Sequence, residues 1–422
     1  MDRIAAVRLT AALAVLTSLA CKGDQKGSGN QGPYAAEVAT AVPKLERSTG
    51  LKFKTPPKLE ERSREDVRAF LEKRFATELP DSELTGSERS YKRLGLLPDS
   101  LNLRKFMLDL LTEQVAGYYD PTAKTLYVVK GAAKEVIDIT IQHELVHALQ
   151  DQYINLDSLQ QQHTDNDRQV AAQSVIEGQA TLEQMGGINI ASSLPGGWDR
   201  VRQLIRESQN SMPMFAAAPL VLQETLLFPY LSGAEFVRRF KTHYPDQPPF
   251  AHMPVSTEQV MHEDRFFGDA EDDPTVVTLP APTVGKRVYE NNLGEFETRL
   301  MLYEHLKDQN GAVRGAAGWD GDRFMLIDTG GGRGDAIAWV SVWDSSIDAA
   351  EFVDLLDTGL LKRYGSVKPQ GASQQKRIYG VPGRTIAITT AEVSGRPTVL
   401  FVDVPAGVSV DVLNLQKVTL KQ

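Results

Sequence analysis

The sequence contains one cysteine, Cys21, among 422 residues. A single cysteine cannot form a disulfide within the chain, so the folded part has to be stabilised by its buried core. Histidine is also scarce, with 7 in the chain and none after Arg314. The chain beyond Arg314 therefore cannot supply a histidine to a metal or to acid–base chemistry.

Long hydrophobic runs and a basic balance are also absent. No window after the first 21 residues is apolar enough to span a bilayer. Lys and Arg total 46 against 55 Asp and Glu, and the basic stretches are short and mixed with acids. Nucleic acid is therefore not expected as a partner. A chain of this length can bury a large core and is expected to hold more than one folding unit.

The first 21 residues have the pattern of a secretory signal. Arg3 and Arg8 precede the short apolar run LTAALAVLTSLA, which leads directly into Cys21. The end of this run resembles a bacterial lipobox, although the preferred leucine lies one position late, at Leu19. We predict a signal peptide over residues 1–21 and a lipid on Cys21 that anchors the protein in the cell envelope, at the outer membrane or facing the periplasm. A simply secreted protein is the alternative.

The remaining chain divides by composition. The segment KGDQKGSGNQGPYAAE, rich in Gly, Ser, Asn and Gln, predicts a flexible tether over residues 22–45. Helical periodicity dominates residues 46–314, with one short strand at 125–130. Residues 315–422 hold β-rich runs, Gly-rich turns and one amphipathic helix. The predicted fold class is α+β: a mainly helical domain followed by a smaller α+β C-terminal module.

The stretch TIQHELVHALQDQY, residues 140–153, carries two histidines four positions apart. In a helix, His143 and His147 project from one face and can hold one zinc ion. Glu144 would lie about 100° round the helix from His143, within reach of a water on that metal. Apolar residues four apart give the same helix a core face: Ile137, Ile141, Leu145 and Leu149. The alternative is a solvated helix face with two surface histidines.

A catalytic zinc needs a third protein ligand and an open position for water. The best candidate is Glu177 in SVIEGQATLEQ, which follows apolar Val175 and Ile176. His163 and Asp165 in the intervening loop are rival ligands. Glu177 could otherwise be an ordinary glutamate on a helix surface.

These segments resemble a known group of enzymes. HELVHALQD resembles the zinc helix of thermolysin-like gluzincins, and EGQA resembles their glutamate-bearing second helix. TLYVVK occupies the place of the edge strand that binds extended substrate in zincins. With PVSTEQVMH further on, the order of motifs resembles a family of poorly characterised bacterial gluzincin-like proteins, many of them lipoproteins. The resemblance implies a zincin-like metallopeptidase domain over residues 46–314, with Zn²⁺ as cofactor and a peptide or protein as substrate.

Two kinds of supporting residue stay open at this stage. Thr181 stands where thermolysin-like enzymes carry an aspartate that supports a zinc histidine, so Asp151, Asp165 or Asp167 is a candidate for that task. A donor to the developing oxyanion is also needed, and His262 and Tyr153 are the candidates.

The implied reaction is peptide hydrolysis with Glu144 as the general base. A non-catalytic binding lipoprotein on the same scaffold is the main alternative, although such a scaffold would have no use for Glu144. A third interpretation is a self-limiting protease whose C-terminal module binds envelope or partner proteins.

Two features of the C-terminal module are expected to be structural. The Gly-rich stretch DTGGGRGDA lacks the lysine of a P-loop, and we expect it to be a hairpin loop rather than an integrin-binding motif. Trp339 and Trp343 would share one face of a strand, and we expect them to pack in the core.

Overall fold

The structure, a computed structural model, describes residues 33–78, 81–159, 164–186, 203, 206–207, 212–269, 271–365, 367, 369 and 375–422. The helices are α1 (Ala35–Thr49), α2 (Arg64–Glu78), α3 (Asp81–Leu94), α4 (Leu103–Gln114), α5 (Lys134–Gln150), α6 (Leu156–Leu159), α7 (Asn166–Gln184), α8 (Pro213–Ala216), α9 (Leu220–His243), α10 (Thr257–Met261), α11 (Glu263–Phe267), α12 (Gly294–Leu306), α13 (Gln309–Ala316) and α14 (Ser346–Tyr364). The strands are β1 (Lys58–Arg62), β2 (Gly117–Asp120), β3 (Thr125–Val129), β4 (Val276–Thr278), β5 (Lys286–Asn291), β6 (Trp319–Asp328), β7 (Asp335–Trp343), β8 (Lys376–Val381), β9 (Arg384–Val393), β10 (Arg396–Pro405) and β11 (Thr419–Lys421). The fold is mixed α+β with a β-rich C-terminal part, as predicted.

A three-stranded sheet of order β1-β3-β2 lies next to the helix that carries the two histidines. β3 pairs with β1 in parallel and with β2 antiparallel, so it is the central strand. The prediction that this strand, TLYVVK, is an edge strand is therefore wrong. β1 was missed because its sequence, KLEER, is polar and its side chains are largely exposed. β2 was missed because its sequence, GYYD, is only four residues long and directly precedes Pro121.

The predicted end of the tether is wrong, because helix α1 begins before it. The tether was expected to reach residue 45, but α1 begins at Ala35. Val38, Ala41 and Leu45 lie on one face of α1 and are buried with Ile137 and other apolar residues of α5. The helix was missed because this i, i+3, i+7 pattern is short and the segment contains Pro43. The polar composition of the preceding residues also favoured a tether.

Helices α5, α7 and α9 form the centre of the helical part. α9 runs along α7, and the two backbones approach closely where Gly178 meets Gly233. A Cβ built on Gly178 would lie 2.2 Å from the carbonyl carbon of Gly233, so neither position has room for a side chain. α9 is continuous from Leu220 to His243, with Pro229 inside it.

The C-terminal part is built on a six-stranded sheet of order β5-β6-β7-β10-β9-β8. Helices α12, α13 and α14 pack together, and Trp339 and Trp343 are buried with Phe352 of α14 as predicted. The predicted domain boundary at 314/315 falls between β5 and β6, which are antiparallel neighbours in this sheet. The sheet unit therefore draws strand β5 from the chain before that boundary.

The Gly-rich stretch joins β6 to β7 as the predicted hairpin loop. Asp335, the acid of its Arg-Gly-Asp triplet, forms an ion pair with Arg89 of α3 through both carboxylate oxygens. The carboxylate is thus engaged within the protein and connects the sheet to the helical part.

The start of α7 is also held by the C-terminal part. Asp165 caps α7 and accepts a hydrogen bond from the Asn292 side chain at 2.8 Å. The backbone N–H of Asn166 donates to Asn291, and that of Asp167 donates to Asn292. The C-terminal part therefore fixes the N-terminal end of a helix that carries a candidate metal ligand. None of the helices in the described ranges has the length and apolar character needed to cross a bilayer.

Candidate metal centre

Helix α5 places the two histidines and Glu144 as their spacing predicts. Its apolar residues pack against α1 and the three-stranded sheet, which fixes the rotation of the helix. His143 and Glu144 are fully buried, and His147 is 2% exposed. The alternative of a solvated face with two surface histidines is therefore wrong.

Helix α7 brings Glu177 to the two histidines. Its Oε2 atom lies 3.2 Å from Nε2 of His143 and 3.4 Å from Nε2 of His147. The ligand atoms of these three residues all lie within 4.8 Å of one another, and no other such group occurs among the described residues. Two imidazole nitrogens and one carboxylate oxygen form a donor set that can bind a metal ion.

Burial and charge make this cluster attractive to a cation. Burial alone would raise the pKa of Glu177, but the two adjacent histidines hold it below its usual range. Burial alone would lower the pKa of His147, but the Glu177 carboxylate raises it above its usual value. Burial raises the pKa of Glu144, and the neighbouring histidines oppose this shift only in part. The carboxylate of Glu177 thus favours positive charge on the Nε2 side of both rings.

Several polar atoms of the cluster have no hydrogen-bond partner within the described chain. They are both carboxyl oxygens of Glu144, Nε2 of His147 and Oε1 of Glu177. Buried polar atoms are normally paired, so four unpaired atoms on three adjacent residues are unusual. A metal ion and its coordinated groups would satisfy them, and the residues present fit such an ion.

Glutamines, rather than the expected aspartates, contact the two histidines. Nδ1 of His143 lies 2.9 Å from Oε1 of Gln184, and Nδ1 of His147 lies 2.9 Å from Oε1 of Gln150. The i, i+3 spacing of His147 and Gln150 is a signal that sequence reasoning could have used. Gln184 follows Glu177 by seven residues, two turns along the same face of α7.

The three aspartates predicted for that task are engaged elsewhere. Asp151 accepts hydrogen bonds from Tyr119 and Lys124. Asp165 caps α7, and Asp167 is bonded to Thr257. None of the three is hydrogen bonded to His143 or His147 in the described chain, so the prediction that one of them supports a zinc histidine is wrong.

The two candidate oxyanion donors also have other partners. Nε2 of His262 lies 2.9 Å from Oε2 of Glu295, in a polar group between α10 and α12. The Tyr153 hydroxyl donates to the Lys52 carbonyl at 2.7 Å and accepts from the Lys52 N–H. Neither side chain is hydrogen bonded to the three clustered residues. The rival ligand His163 lies outside the described residues.

Tyr230 of α9 packs against the cluster and was not predicted. Its ring stacks on that of His143, with 6.0 Å between centroids, and the side chain is buried. The contact depends on the close crossing of α7 and α9, which no short sequence pattern reveals. The cluster is therefore enclosed, and Glu144 has no contact with solvent in this conformation.

Comparison with known proteins adds one finding. Residues 275–413 match a family model described as a domain of unknown function, DUF8575. The match covers all six strands of the larger sheet and leaves α5 and α7 outside it. No curated protein and no solved structure matches the chain. The resemblance to gluzincins stays a prediction.

Proposed function

We propose that the protein is an extracytoplasmic zinc metallopeptidase that hydrolyses peptide bonds in peptides or proteins. The observation that carries this proposal is the convergence of His143, His147 and Glu177 beside a fourth buried residue, Glu144. Two imidazoles and one carboxylate are the protein ligands of many hydrolytic zinc sites, which leave a position open for water. Glu144 has no role in such a ligand set, but its position suits a general base.

The chain would contribute metal ligands and a proton-transfer group to this reaction. His143, His147 and Glu177 would hold zinc, which when bound lowers the pKa of water and polarises the scissile carbonyl. Glu144 would take a proton from the attacking water and deliver it to the leaving amine. The raised pKa of Glu144, caused by burial, favours proton acceptance by this carboxylate. A peptide would reach Glu144 only after the enclosing elements open.

The test is a comparison of wild type with Glu144→Gln. Purified wild type should contain about one zinc per chain and cleave a fluorogenic peptide library or casein. Glu144→Gln should keep the zinc and lose about 10²- to 10⁴-fold in cleavage rate, because only the proton acceptor is removed. Wild type that contains no zinc after purification and zinc dialysis would contradict the proposal.

A non-catalytic binding lipoprotein is the second candidate, and the complete burial of the cluster favours it. A metal enclosed on all sides can stabilise a fold without reacting with substrate. Zinc binding with no cleavage of any library peptide, and equal behaviour of wild type and Glu144→Gln, would support this candidate instead.

We also propose that the protein acts at the cell envelope, attached through a lipid on Cys21. The support is the short apolar run before this cysteine and the polar segment after it. Mass spectrometry of the mature protein should show diacylated Cys21 as its first residue. An unmodified terminus at another residue would leave only the secreted alternative.

A further inference from the structure

Gln150 contacts both helices that carry the candidate metal ligands, and this inference rests on the zinc centre proposed above. Its amide nitrogen donates to the Ile176 carbonyl at 3.1 Å and to Oε1 of Gln179 at 3.0 Å. Both acceptors belong to α7, whereas Gln150 is the last residue of α5. Because both nitrogen hydrogens are used in this way, the amide oxygen is the atom that faces His147.

This orientation determines the tautomer of His147. An amide oxygen can only accept, so Nδ1 of His147, 2.9 Å away, carries the hydrogen and donates it. In the neutral ring, Nε2 then presents a lone pair, and Nε2 faces Oε2 of Glu177 at 3.4 Å. Two lone pairs at this distance repel unless a proton or a metal ion lies between them. The network thus prepares Nε2 to coordinate a metal.

The same side chain also positions Glu177. Ile176, whose carbonyl accepts from Gln150, directly precedes Glu177 in α7. Gln150 therefore fixes the ring of one ligand and the backbone next to another. Gln179 holds the amide of Gln150 in place, and both glutamines are buried, with at most 2% exposure. Water therefore cannot easily replace the lost bonds.

We propose that Gln150 is a positioning residue for two ligands of the zinc centre, supported by Gln179, and that Gln184 does the same for His143. These supports are neutral amides, so they add no negative charge to that of Glu177. The centre is thereby held in ligand geometry by contacts between α5 and α7.

The test measures metal affinity of the full-length protein. Zn²⁺ dissociation constants would be determined by competition with a chromophoric chelator, and the Co²⁺ absorption spectrum would report the ligand geometry. Gln150→Met, of similar volume, should weaken zinc binding by about 10- to 100-fold and change the cobalt spectrum. Gln179→Met should weaken it less, because it removes only the support of Gln150.

Two controls separate positioning from general damage. Gln152→Met removes an amide that binds the backbone of Lys54 and Thr55, away from the ligands, and should leave zinc affinity unchanged. At the partly exposed position 184, Gln184→Glu keeps an acceptor for His143 and should bind zinc more tightly than Gln184→Met, which loses it. Circular dichroism of each metal-free variant monitors folding.

The outcomes are distinguishable. Wild-type affinity and spectrum in folded Gln150→Met would overturn this inference while leaving the zinc centre intact. If Gln150→Met fails to fold, the comparison of Gln184→Glu with Gln184→Met becomes the test. Equal zinc affinity of these two variants would overturn the inference. Wild type without zinc would overturn both the inference and the proposed function.

Discussion

Glu177 is the residue whose replacement tests the ligand set most directly. Glu177→Ala removes a carboxylate that contacts both histidines, so we expect the protein to lose most of its bound zinc. Metal content of purified protein, measured by inductively coupled plasma mass spectrometry, gives the answer.

Asp165 provides the control, since it was one of the two rival ligands and instead caps α7. Asp165→Ala should keep its zinc and lose about 1 kcal/mol of stability with the cap. Full zinc occupancy in Glu177→Ala would exclude Glu177 as the third ligand.

Asp322 is the second residue for which the structure predicts a large effect of substitution. Each of its carboxylate oxygens accepts two N–H donors: Oδ1 from Gly294 and Trp319, and Oδ2 from Leu293 and Trp339. Burial raises the pKa of Asp322 to about 6, although the four hydrogen bonds act to lower it. In Asp322→Asn, either orientation of the amide turns its NH₂ group toward two donors. We expect a loss of about 2–6 kcal/mol in the free energy of unfolding, measured by urea denaturation.

The control for that loss is Asp328→Asn, an exposed position at the end of β6 where the carboxylate accepts from the Gly330 N–H. Its stability should change by about 0.5 kcal/mol or less. Equal stability of Asp322→Asn and wild type would mean that the four bonds do not hold the ionised form.

Residue spacing predicted which candidate ligands lie together, because side chains four positions apart in an α-helix project from the same face. His143, Glu144 and His147 needed only the i, i+4 rule, and Glu177 needed an apolar context on a second helix. Gln184 was missed because nothing in the sequence says which polar side chain turns toward a buried histidine, and Gln150 was missed although its i, i+3 spacing from His147 was a usable signal. His262 and Tyr153 are not hydrogen bonded to the clustered residues, because each has another partner. His262 contacts Glu295, and Tyr153 is bonded to the backbone of Lys52.

At the scale of elements, the crossing of α7 and α9 is the contact most sensitive to side-chain size. A Cβ on Gly233 would lie 2.1 Å from the Ser174 carbonyl oxygen, a backbone atom that cannot move away easily. Gly233→Ala should push the helices apart, lower stability by about 1–3 kcal/mol and withdraw Tyr230 from His143. Thermal unfolding and zinc affinity would both be measured.

The same substitution in another helix is the control. A Cβ on Gly311 of α13 would meet mainly the flexible end of the Asp308 side chain. Gly311→Ala should therefore be neutral, or stabilising by up to about 1 kcal/mol. If Gly233→Ala behaves like Gly311→Ala, the close crossing does not exist in solution.

Elements with a strong pattern were predicted well, and elements defined by their neighbours were not. Ser63 with Asp66 and Ser345 with Asp348 form capping boxes at the starts of α2 and α14, and such caps can be recognised from sequence because they depend on local chemistry. β1 is polar, and it is a strand because β3 offers it a free edge. β3 was therefore recognised as a strand and misplaced as an edge, since pairing is a tertiary property.

At the scale of the whole molecule, His305 makes stability dependent on pH. This buried histidine lies between α3 and α14, with its Nε2 at 2.9 Å from the Leu94 carbonyl. Burial, assisted by the charge of Arg363, lowers its pKa to about 3. The unfolded chain binds a proton near pH 6.5 and the folded protein does not, so this contribution is fully present above about pH 6.5 and is lost as the pH falls toward 3.

His305→Gln removes that titration and keeps a donor for the Leu94 carbonyl. Between about pH 7.5 and pH 5, the wild type should lose about 2 kcal/mol more unfolding free energy than the variant. Guanidinium denaturation at several pH values measures both curves. Parallel curves would show that His305 is protonated in the folded protein.

Helix α1 sets how far the proposed enzyme can work from its membrane. With Cys21 held in the bilayer, only the chain up to Ala35 lies between the anchor and α1, and a fully extended chain of that length spans roughly 50 Å. A tether reaching residue 45 would have allowed roughly 85 Å. Because α1 packs on α5, the proposed anchor would be linked through α1 to the helix that bears His143 and His147. The accessible substrates would then be those presented within a thin layer above the lipid surface.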